Sequence, residues 1–397
     1  MKIAVYHNLP SGGAKRALYN NIKYLKARRN EIDLYIPSTA NEDYLPLKNI
    51  VDNFFSFPVN PSFRTFLVSL FKYKVPSKIL SAVEEVDKNI ACLINKKDYD
   101  IVICEQDQFF FSPFILKYIT KPMLYFCQQP SRENEAIVHH LMKEGKLPKK
   151  NHFHRFIDRK LYEIELKNVS NVKNILANSF FSKESILRKY GLNAQVSYLG
   201  IDLDVFSPKK IQRQSFLLSV GSCTPAKGFD FLIKSLSFIP KNKRPLLILV
   251  SNNVNQKWKE YLLGLAKSKA VEIEIRSNIG HEELLDLYRT TSILLYSPYL
   301  EPFGLVPLEA LACGTPIIGV REGGIRESLG AFQSGILIER IEKKFGNAIE
   351  SLLNDQTDDP QSNIDRRNYV EEFWGLKKAG ERFLSHIQRI IMDSKTN

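Results

Sequence analysis

Two carboxylates eight positions apart, Glu301 and Glu309, stand at the start of a short apolar segment in the last third of the sequence. Pro307 suits the first turn of a helix, because proline lacks the N–H that the first turn would leave unpaired. Gly314 is predicted to cap the helix in the left-handed conformation, and Pro316 would stop it from continuing. The sequence therefore predicts a short helix that begins between the two acids.

The N-terminus of this helix is a predicted anion site, because its free backbone N–H groups and the helix dipole favour negative charge. This end is built from residues 304–308, and the residues expected to bind the ligand there are Phe303, Gly304, Leu305 and Val306. A phosphate at this end would leave Glu301 near whatever the phosphate carries, and Glu309 could accept hydrogen bonds from hydroxyl groups on the other side. A ligand with a diphosphate in its middle and polyols at both ends, a nucleotide-sugar, suits this layout.

Two glycine-containing loops follow predicted first strands elsewhere in the chain. Gly12 and Gly13 come after the apolar run 3–6, and Gly221 comes after another such run. Glycine lets backbone N–H groups approach a phosphate or a sugar without a Cβ in the way, although an ordinary strand-to-helix turn uses the same residues. Lys227, just before a predicted helix, is expected to place its ammonium against phosphate. The sequence contains no G-x-G-x-x-G motif, so a nicotinamide enzyme has no support.

The segment from Glu301 to Glu309 resembles the E-x7-E signature of retaining, family-4-type glycosyltransferases with the GT-B fold. Other segments resemble the same family in the right order, namely residues 10–14, 177–182, 198–202, 219–221, 225–228 and 323–327. Taken together, these segments cover most of the chain, and the run 281–327 is the most specific part of the resemblance.

The resemblance implies a hexosyltransferase that moves a sugar from a UDP-, GDP- or ADP-sugar donor to an acceptor hydroxyl, with retention at the anomeric carbon. Glu301 would contact the donor sugar, Lys227 the leaving diphosphate and Glu309 the ribose. The diphosphate itself would help to deprotonate the acceptor in a front-face displacement, without a metal or another cofactor. The expected acceptor is a glycan or a lipid-linked sugar, in cell-surface glycan, glycolipid or polysaccharide synthesis.

Two positions depart from the family pattern. Ser222 follows Gly221, where the family usually has an arginine on the diphosphate, so a charge-assisted contact is lost. Gln128 stands where the family often has a histidine facing the donor sugar, and an amide can still hydrogen-bond a sugar hydroxyl. Both residues stay in the predicted site, and Arg132 or Arg321 is a candidate replacement for the missing cation.

Two alternatives remain open. The first is another GT-B chemistry, such as an inverting transferase or a sugar-phosphate synthase, which the configuration of the product would separate from retention. The second is a catalytically silent nucleotide-sugar-binding relative, which Ser222 and Gln128 suggest. Donor binding without turnover would favour that relative.

Apolar strand-like runs alternate with helical stretches, the pattern of parallel sheets with crossover helices. The predicted strands are residues 3–6, 32–36, 101–104, 123–126, 175–177 and 196–198, then 216–220, 246–250, 271–275, 293–296, 317–320 and 335–338. The predicted fold is α/β, with two Rossmann-like, doubly wound domains facing across a cleft. The predicted boundaries are 1–205 for an acceptor-binding domain, 206–370 for a nucleotide-sugar-binding domain and 371–397 for a C-terminal helix. This helix belongs to an amphipathic pattern, 369–392, and the resemblance implies that it packs back on the first domain.

The composition limits other possibilities. With 397 residues and 44% apolar content, the chain can bury a large core, and no apolar run approaches the roughly 18 residues needed to span a bilayer. Five scattered cysteines and the lack of a signal-peptide pattern indicate a reducing cytoplasm. No metal site is expected, because the usual zinc-ligand spacing is absent.

The net charge of +13 attracts polyanions, and nucleic acid, an anionic membrane or a phosphorylated acceptor could supply them. Nucleic acid is the weakest candidate, because no nucleic-acid-binding module is recognisable. The stretch 139–160 holds four histidines and seven lysines or arginines, and the stretch 63–79 combines phenylalanines with basic residues. The stretch 139–160 is expected to lie on an anionic surface or to grip a phosphorylated acceptor. The stretch 63–79 suits an interfacial helix, and a core-facing helix with a solvated basic side explains it equally well.

Overall fold

The computed structural model describes residues 1–59, 77–109, 111–130, 136–209, 211–330, 335–355 and 360–396. The chain forms two compact units, and each contains one parallel β-sheet. Unit 1 comprises Met1–Glu135, Pro148–Gly200 and Leu376–Asn397, and unit 2 comprises Ala136–Leu147 and Ile201–Gly375. The predicted α/β class with two Rossmann-like domains is therefore confirmed.

Strands alternate with helices along most of the chain. The strands are β1 (Lys2–Asn8), β2 (Glu31–Pro37), β3 (Asn53–Phe57), β4 (Ile101–Asp107), β5 (Met123–Phe126), β6 (Ile175–Ala177), β7 (Gln195–Val196), β8 (Gln214–Val220), β9 (Leu246–Ser251), β10 (Ile273–Ser277), β11 (Thr291–Tyr296), β12 (Ile317–Val320) and β13 (Ile336–Ile338). The helices are α1 (Gly13–Lys26), α2 (Ser77–Lys96), α3 (Ala136–Lys143), α4 (His152–Val169), α5 (Phe180–Tyr190), α6 (Phe229–Leu236), α7 (Gln256–Lys269), α8 (His281–Thr290), α9 (Leu305–Ala312), α10 (Ile325–Gly330), α11 (Glu342–Asn354), α12 (Pro360–Trp374) and α13 (Leu376–Thr396).

The sheet of unit 1 has the strand order β3-β2-β1-β4-β5-β6-β7. Residues 3–6 of β1 and 101–104 of β4 are fully buried, because a parallel sheet is covered on both faces and its central strands are continuous apolar runs. The C-terminal helix α13 lies on the same core. Its Gly380 packs directly against the Tyr24 ring of α1, and its Phe383 ring lies 6.0 Å from that of Phe126 on β5.

The sheet of unit 2 has the strand order β10-β9-β8-β11-β12-β13. The carboxyl ends of its central strands carry the loops that contain the predicted site, 221–228 after β8 and 297–304 after β11. In open parallel sheets, ligands bind beyond these ends. Helix α9 follows the second loop and packs on α12, where the rings of Phe303 and Trp374 lie 5.6 Å apart. The fold therefore brings the E-x7-E segment and the Lys227 loop to one edge of the sheet.

The structure departs from the predicted elements in several places. The predicted strands 196–198 and 271–275 are shifted to Gln195–Val196 and Ile273–Ser277. Strand β3 has no predicted counterpart, because its residues are exposed or half-buried and lack a continuous apolar run. The pattern 369–392 is not one helix: the Trp374 carbonyl accepts from the Ile201 N–H at 2.8 Å, and the helix is interrupted at Gly375. Residues 136–147, which fall within the predicted segment 1–205, belong to unit 2.

Two predicted features fall wholly or partly outside the described residues. They are Arg132 and most of the phenylalanine-containing stretch 63–79. Among the helices that the structure describes, none combines the length and the apolar character needed to cross a bilayer.

Candidate functional site

Helix α9 is preceded by a glycine cap and has no side-chain cap. Gly304 precedes the helix with φ +93°, a conformation that favours glycine, and a Cβ there would lie 3.1 Å from the Tyr296 hydroxyl. Leu305 and Val306 are half-buried, whereas the later residues of the helix are buried. The accessible part of α9 is therefore its first turn, where backbone N–H groups lack helical partners. At the other end Gly314 has φ +81°, as the sequence predicts.

The backbone that carries Glu301 packs directly on a pair of glycines. The Gly324 N–H donates to the Glu301 carbonyl at 2.8 Å. A Cβ on Gly323 or Gly324 would overlap the backbone of residues 301–303, and Gly323 has φ +65°. These glycines therefore determine where the Glu301 side chain starts.

Lys227 and Glu301 form an ion pair at the edge of the sheet. The Lys227 Nζ lies 2.7 Å from the Glu301 Oε2, with the two side chains 23% and 28% exposed. The aliphatic part of Lys227 crosses Gly221, where a Cβ would lie 3.3 Å from the lysine Cγ and Cδ. Ser297 donates to the carbonyls of Lys227 and Gly228 at 3.1 and 3.0 Å, which anchors the lysine loop to the end of β11. Both predicted catalytic side chains of unit 2 therefore lie together.

Glu309 is more enclosed than the Lys227–Glu301 pair. It is 3% exposed, and the Tyr288 hydroxyl of α8 donates to its Oε2 at 2.7 Å. Tyr288 is absent from the sequence-based site, although it lies within the specific run 281–327. The tyrosine holds the Glu309 carboxylate in one orientation, one turn below the N-terminal end of α9.

Ser222 and Arg321, the candidate replacement cation within the described residues, each contact other protein groups. The Ser222 hydroxyl oxygen lies 3.2 Å from that of Thr224. Arg321 is exposed and donates to the Leu337 carbonyl on β13 at 2.9 Å. Arg321 therefore has a structural contact of its own, on the neighbouring strand.

Arg340, which the sequence analysis does not single out, connects the loops of this edge. It donates to both carboxylate oxygens of Glu322 at 2.8 Å, a bidentate pair of the stronger class. It also donates to the carbonyls of Ser297 and Pro298 at 3.1 Å, and its guanidinium carbon lies 3.7 Å from the centre of the Tyr299 ring. The loop that leads from β11 to Glu301 is therefore held from one side by Arg340.

The glycine loop of unit 1 lies at the carboxyl end of β1. Gly12 has φ +143° and precedes α1, which begins at Gly13, and both glycines are exposed. Below them Lys15 is fully buried, in contact with the Glu42 carboxylate and 3.1 Å from the His7 Nε2. Burial lowers the pKa of His7 to about 4, so its ring is neutral near pH 7. The loop therefore rests on a buried polar cluster.

Gln128 is held in a buried polar network after β5. It is 5% exposed; its Oε1 accepts from the Asn178 Nδ2 at 3.3 Å, and its carbonyl accepts from the Ser182 hydroxyl at 3.0 Å. Glu105 of β4 is fully buried beside it. Burial raises the pKa of the Glu105 carboxyl well above its usual value. Asn178 therefore orients the side-chain oxygen of Gln128, and Ser182 anchors its backbone.

The predicted site residues divide between the two units. Those in unit 2 are Lys227, Ser222, Glu301, Phe303, Gly304, Leu305, Val306 and Glu309, and those in unit 1 are Gly12, Gly13 and Gln128. The Phe303 side chain is buried against Trp374, so it belongs to the core below the helix end. In the described part of the chain, no three His, Cys, Asp or Glu side chains are grouped closely enough to hold a metal ion.

The sequence around this site is similar to a known protein family. Residues 201–371 match the family described as glycosyl transferases group 1. The curated D-inositol 3-phosphate glycosyltransferase 2 of Catenulispora acidiphila is 29% identical over 209 residues, which are 47% of this chain and 49% of that protein. The chain thus spans about half the length of the curated relatives it matches.

Two solved structures resemble the whole chain. Sucrose-phosphate synthase from Thermosynechococcus elongatus superposes with a TM-score of 0.73 at 16% identity, over 99% of both chains. The Anabaena protein HepE, solved in complex with UDP and glucose, superposes with a TM-score of 0.70 at 15% identity, over 98% of this chain and 99% of that chain. At such low identity the likeness establishes the fold, and function depends on the site.

Proposed function

Because residues 201–371 match the family described as glycosyl transferases group 1 and the chain has the GT-B fold, we propose that this protein transfers a sugar from a nucleoside-diphosphate donor to an acceptor hydroxyl. The supporting observation is the Lys227–Glu301 pair beside the first turn of α9. An ammonium, a carboxylate and a helix N-terminus together suit a diphosphate that carries a sugar.

The leaving diphosphate would be stabilised by Lys227 and by the N–H groups of residues 304–306. In this structure the Lys227 ammonium is paired with Glu301, so we infer that the diphosphate would compete with that carboxylate for the lysine. Replacement of the carboxylate is favourable, because one ligand would accept charge-assisted bonds from the lysine and from the helix end together. Glu301, once released, can accept hydrogen bonds from sugar hydroxyl groups.

The finer parts of the proposal rest on the E-x7-E spacing. We propose a family-4-type, retaining reaction in which the diphosphate assists deprotonation of the acceptor. Unit 1 would bind the acceptor, its Gln128 would hydrogen-bond a hydroxyl of the donor sugar, and its loop at Gly12 and Gly13 would contact phosphate or sugar. The acceptor would be a glycan or a lipid-linked sugar.

Lys227 and α9 would supply the positive charge that stabilises the diphosphate, so turnover should persist in EDTA. Proton NMR of the product should show the donor's anomeric configuration. Loss of activity in EDTA, or an inverted product, would contradict this part.

Donor identity is tested by thermal shift with UDP, GDP, ADP and their sugars. A ligand that binds only the folded state raises the unfolding temperature, so the true donor nucleotide should give the largest shift. UDP is the first candidate, since HepE was solved with it. The absence of a shift with all three nucleotides would contradict the proposed donor class.

Single substitutions test the roles in unit 2. We predict that Lys227→Ala mainly lowers kcat, by about 100-fold or more, because it removes charge stabilisation of the leaving group. Glu309→Ala should mainly weaken nucleotide binding. The matched control is Lys234→Ala on α6, whose ammonium pairs with Glu342 at 3.6 Å in the same unit. Unchanged steady-state kinetics in both site variants would exclude the proposed site.

A second candidate function is nucleotide-sugar binding without transfer. Ser222 and Gln128 favour it, because they replace the arginine and the histidine that the family usually has. Donor binding without turnover over a panel of glycan acceptors would support it. Transfer to any acceptor would exclude it.

A further inference from the structure

Two phenylalanines stand on the surface of unit 1 at the start of α4. Phe153 is 49% exposed and Phe156 is 58% exposed. Farther along the helix, Leu161 and Ile164 pack on a small apolar cluster of the same unit. The first turns of α4 therefore present apolar side chains to solvent, whereas its later turns are anchored.

Basic side chains surround these phenylalanines. We call the α4 patch the five exposed residues Phe153, Arg155, Phe156, Arg159 and Lys160. Positions 153, 156 and 160 follow helical spacing and share one side of the helix, and the Lys160 Nζ lies 5.9 Å from the centre of the Phe156 ring. Residues 149–163 contain five lysines or arginines and two acids, a net charge of +3. Lys150 pairs with Asp158, and Arg159 and Lys160 both pair with Glu163, so the surface keeps a net positive charge around these ion pairs.

The structure divides the basic stretch 139–160 into two parts. In the first part, Lys146 is bound by carboxylates of unit 2, at 2.7 Å from Asp230 and 2.6 Å from Glu144. The second part, residues 149–160, belongs to the surface of unit 1. The α4 patch is therefore the described portion of this stretch that combines apolar and basic exposed residues.

We propose that the α4 patch docks on an anionic lipid surface. Phe153 and Phe156 would enter the headgroup region, and the arginines and Lys160 would contact lipid phosphates, as interfacial helices with basic and aromatic residues do. Charge complementarity favours lipid over a second copy of the chain, because two such patches would bring like charges together. This inference goes beyond the proposed function and does not depend on the donor chemistry.

The test is flotation of the full chain with phosphatidylcholine vesicles that contain or lack phosphatidylglycerol. We expect recovery with phosphatidylglycerol vesicles only, falling as salt rises. Phe153→Ser with Phe156→Ser should lower partitioning about tenfold or more, because the apolar contact is lost. Arg155→Gln with Arg159→Gln should lower it by a similar factor, since each basic residue near the surface contributes about fivefold.

A matched control is available on α5 of the same unit. Phe180 is 54% exposed, and the Lys183 Nζ lies 5.9 Å from its ring centre. Phe180→Ser with Lys183→Gln should leave flotation unchanged, and nucleotide thermal shifts on all samples separate this test from that of the donor site. Equal flotation of the α4 variants and wild type would overturn the proposal. The proposal would also be overturned if the control variant lost flotation equally, or if inorganic phosphate at matched ionic strength released the protein from the vesicles. A dimer in gel filtration that the α4 variants dissociate would overturn it as well.

Discussion

Gly324 determines the position of Glu301, because a Cβ at this residue would overlap the Pro302 carbonyl. We expect Gly324→Ala to displace residues 301–303, to lower the free energy of unfolding by about 1–3 kcal/mol and to reduce donor turnover. Gly264 on α7 is the control, since a Cβ there has nothing within 4 Å. Gly264→Ala should stabilise the protein by up to about 1 kcal/mol through helix propensity. Similar urea unfolding curves for the two variants would contradict the packing argument.

Glu105 makes a pH-dependent contribution to stability. Burial raises the pKa of its carboxyl well above its usual value, so the folded chain keeps a proton that the unfolded chain releases above about pH 4.3. The stabilisation from this group is therefore present at low pH. It is lost as the pH rises from about 4.3, the pKa in the unfolded chain, to the raised pKa of the folded chain.

We expect Glu105→Gln to be more stable than the wild type at about pH 8, with the difference shrinking towards about pH 4. Urea unfolding at the two pH values measures the difference. Glu85→Gln, at an exposed position of α2, is the control for the substitution itself. A constant difference for Glu105→Gln at both pH values would show that the carboxyl is not protonated in the folded state.

Residues of the candidate site differ in how well the sequence predicts them. Glu301, Glu309 and Lys227 can be found, because glycines and prolines at fixed positions mark the turns that carry them. Arg340 and Tyr288 cannot, because their contacts arise only when distant strands and helices meet. No local pattern distinguishes an arginine that binds Glu322 from an ordinary surface arginine.

At the scale of elements, strands buried on both faces are the best predicted. The apolar runs 123–126 and 317–320 coincide with the bounds of β5 and β12, because such strands need apolar residues at every position. Edge strand β3 is not buried on both faces, so it does not need an apolar residue at every position and has no continuous apolar run. Sequence patterns therefore identify the centre of each sheet better than its edge.

Helix ends depend on contacts that the local sequence does not contain. The amphipathic pattern 369–392 runs across Gly375, but the Trp374 carbonyl bonds to the Ile201 N–H and ends α12. Likewise, composition presents the stretch 139–160 as one basic segment, whereas α3 and α4 belong to different units. In both cases a distant partner decides the boundary, so periodicity alone cannot locate it.

At the scale of the whole molecule, sequence similarity and fold similarity have different extents. The family match covers residues 201–371, within unit 2, whereas the solved structures superpose on 98–99% of the chain. Unit 1 therefore has the fold of these solved structures, although the family match does not extend to its sequence. We expect this unit, which the proposal assigns to the acceptor, to set the specificity that differs between relatives.

Unit 1 is completed only by the last helix of the chain, which supplies Phe383 to a core shared with Phe126. Phe383 is 1% exposed, so we expect Phe383→Ala to lower the free energy of unfolding of unit 1 by about 3–5 kcal/mol. Hydrogen exchange should show lost protection in α1 and β5, with β11 and β12 still protected. Met392→Ala on the same helix is the control, since Met392 is 65% exposed. Equal loss of protection in both sheets would mean that the two units unfold as one.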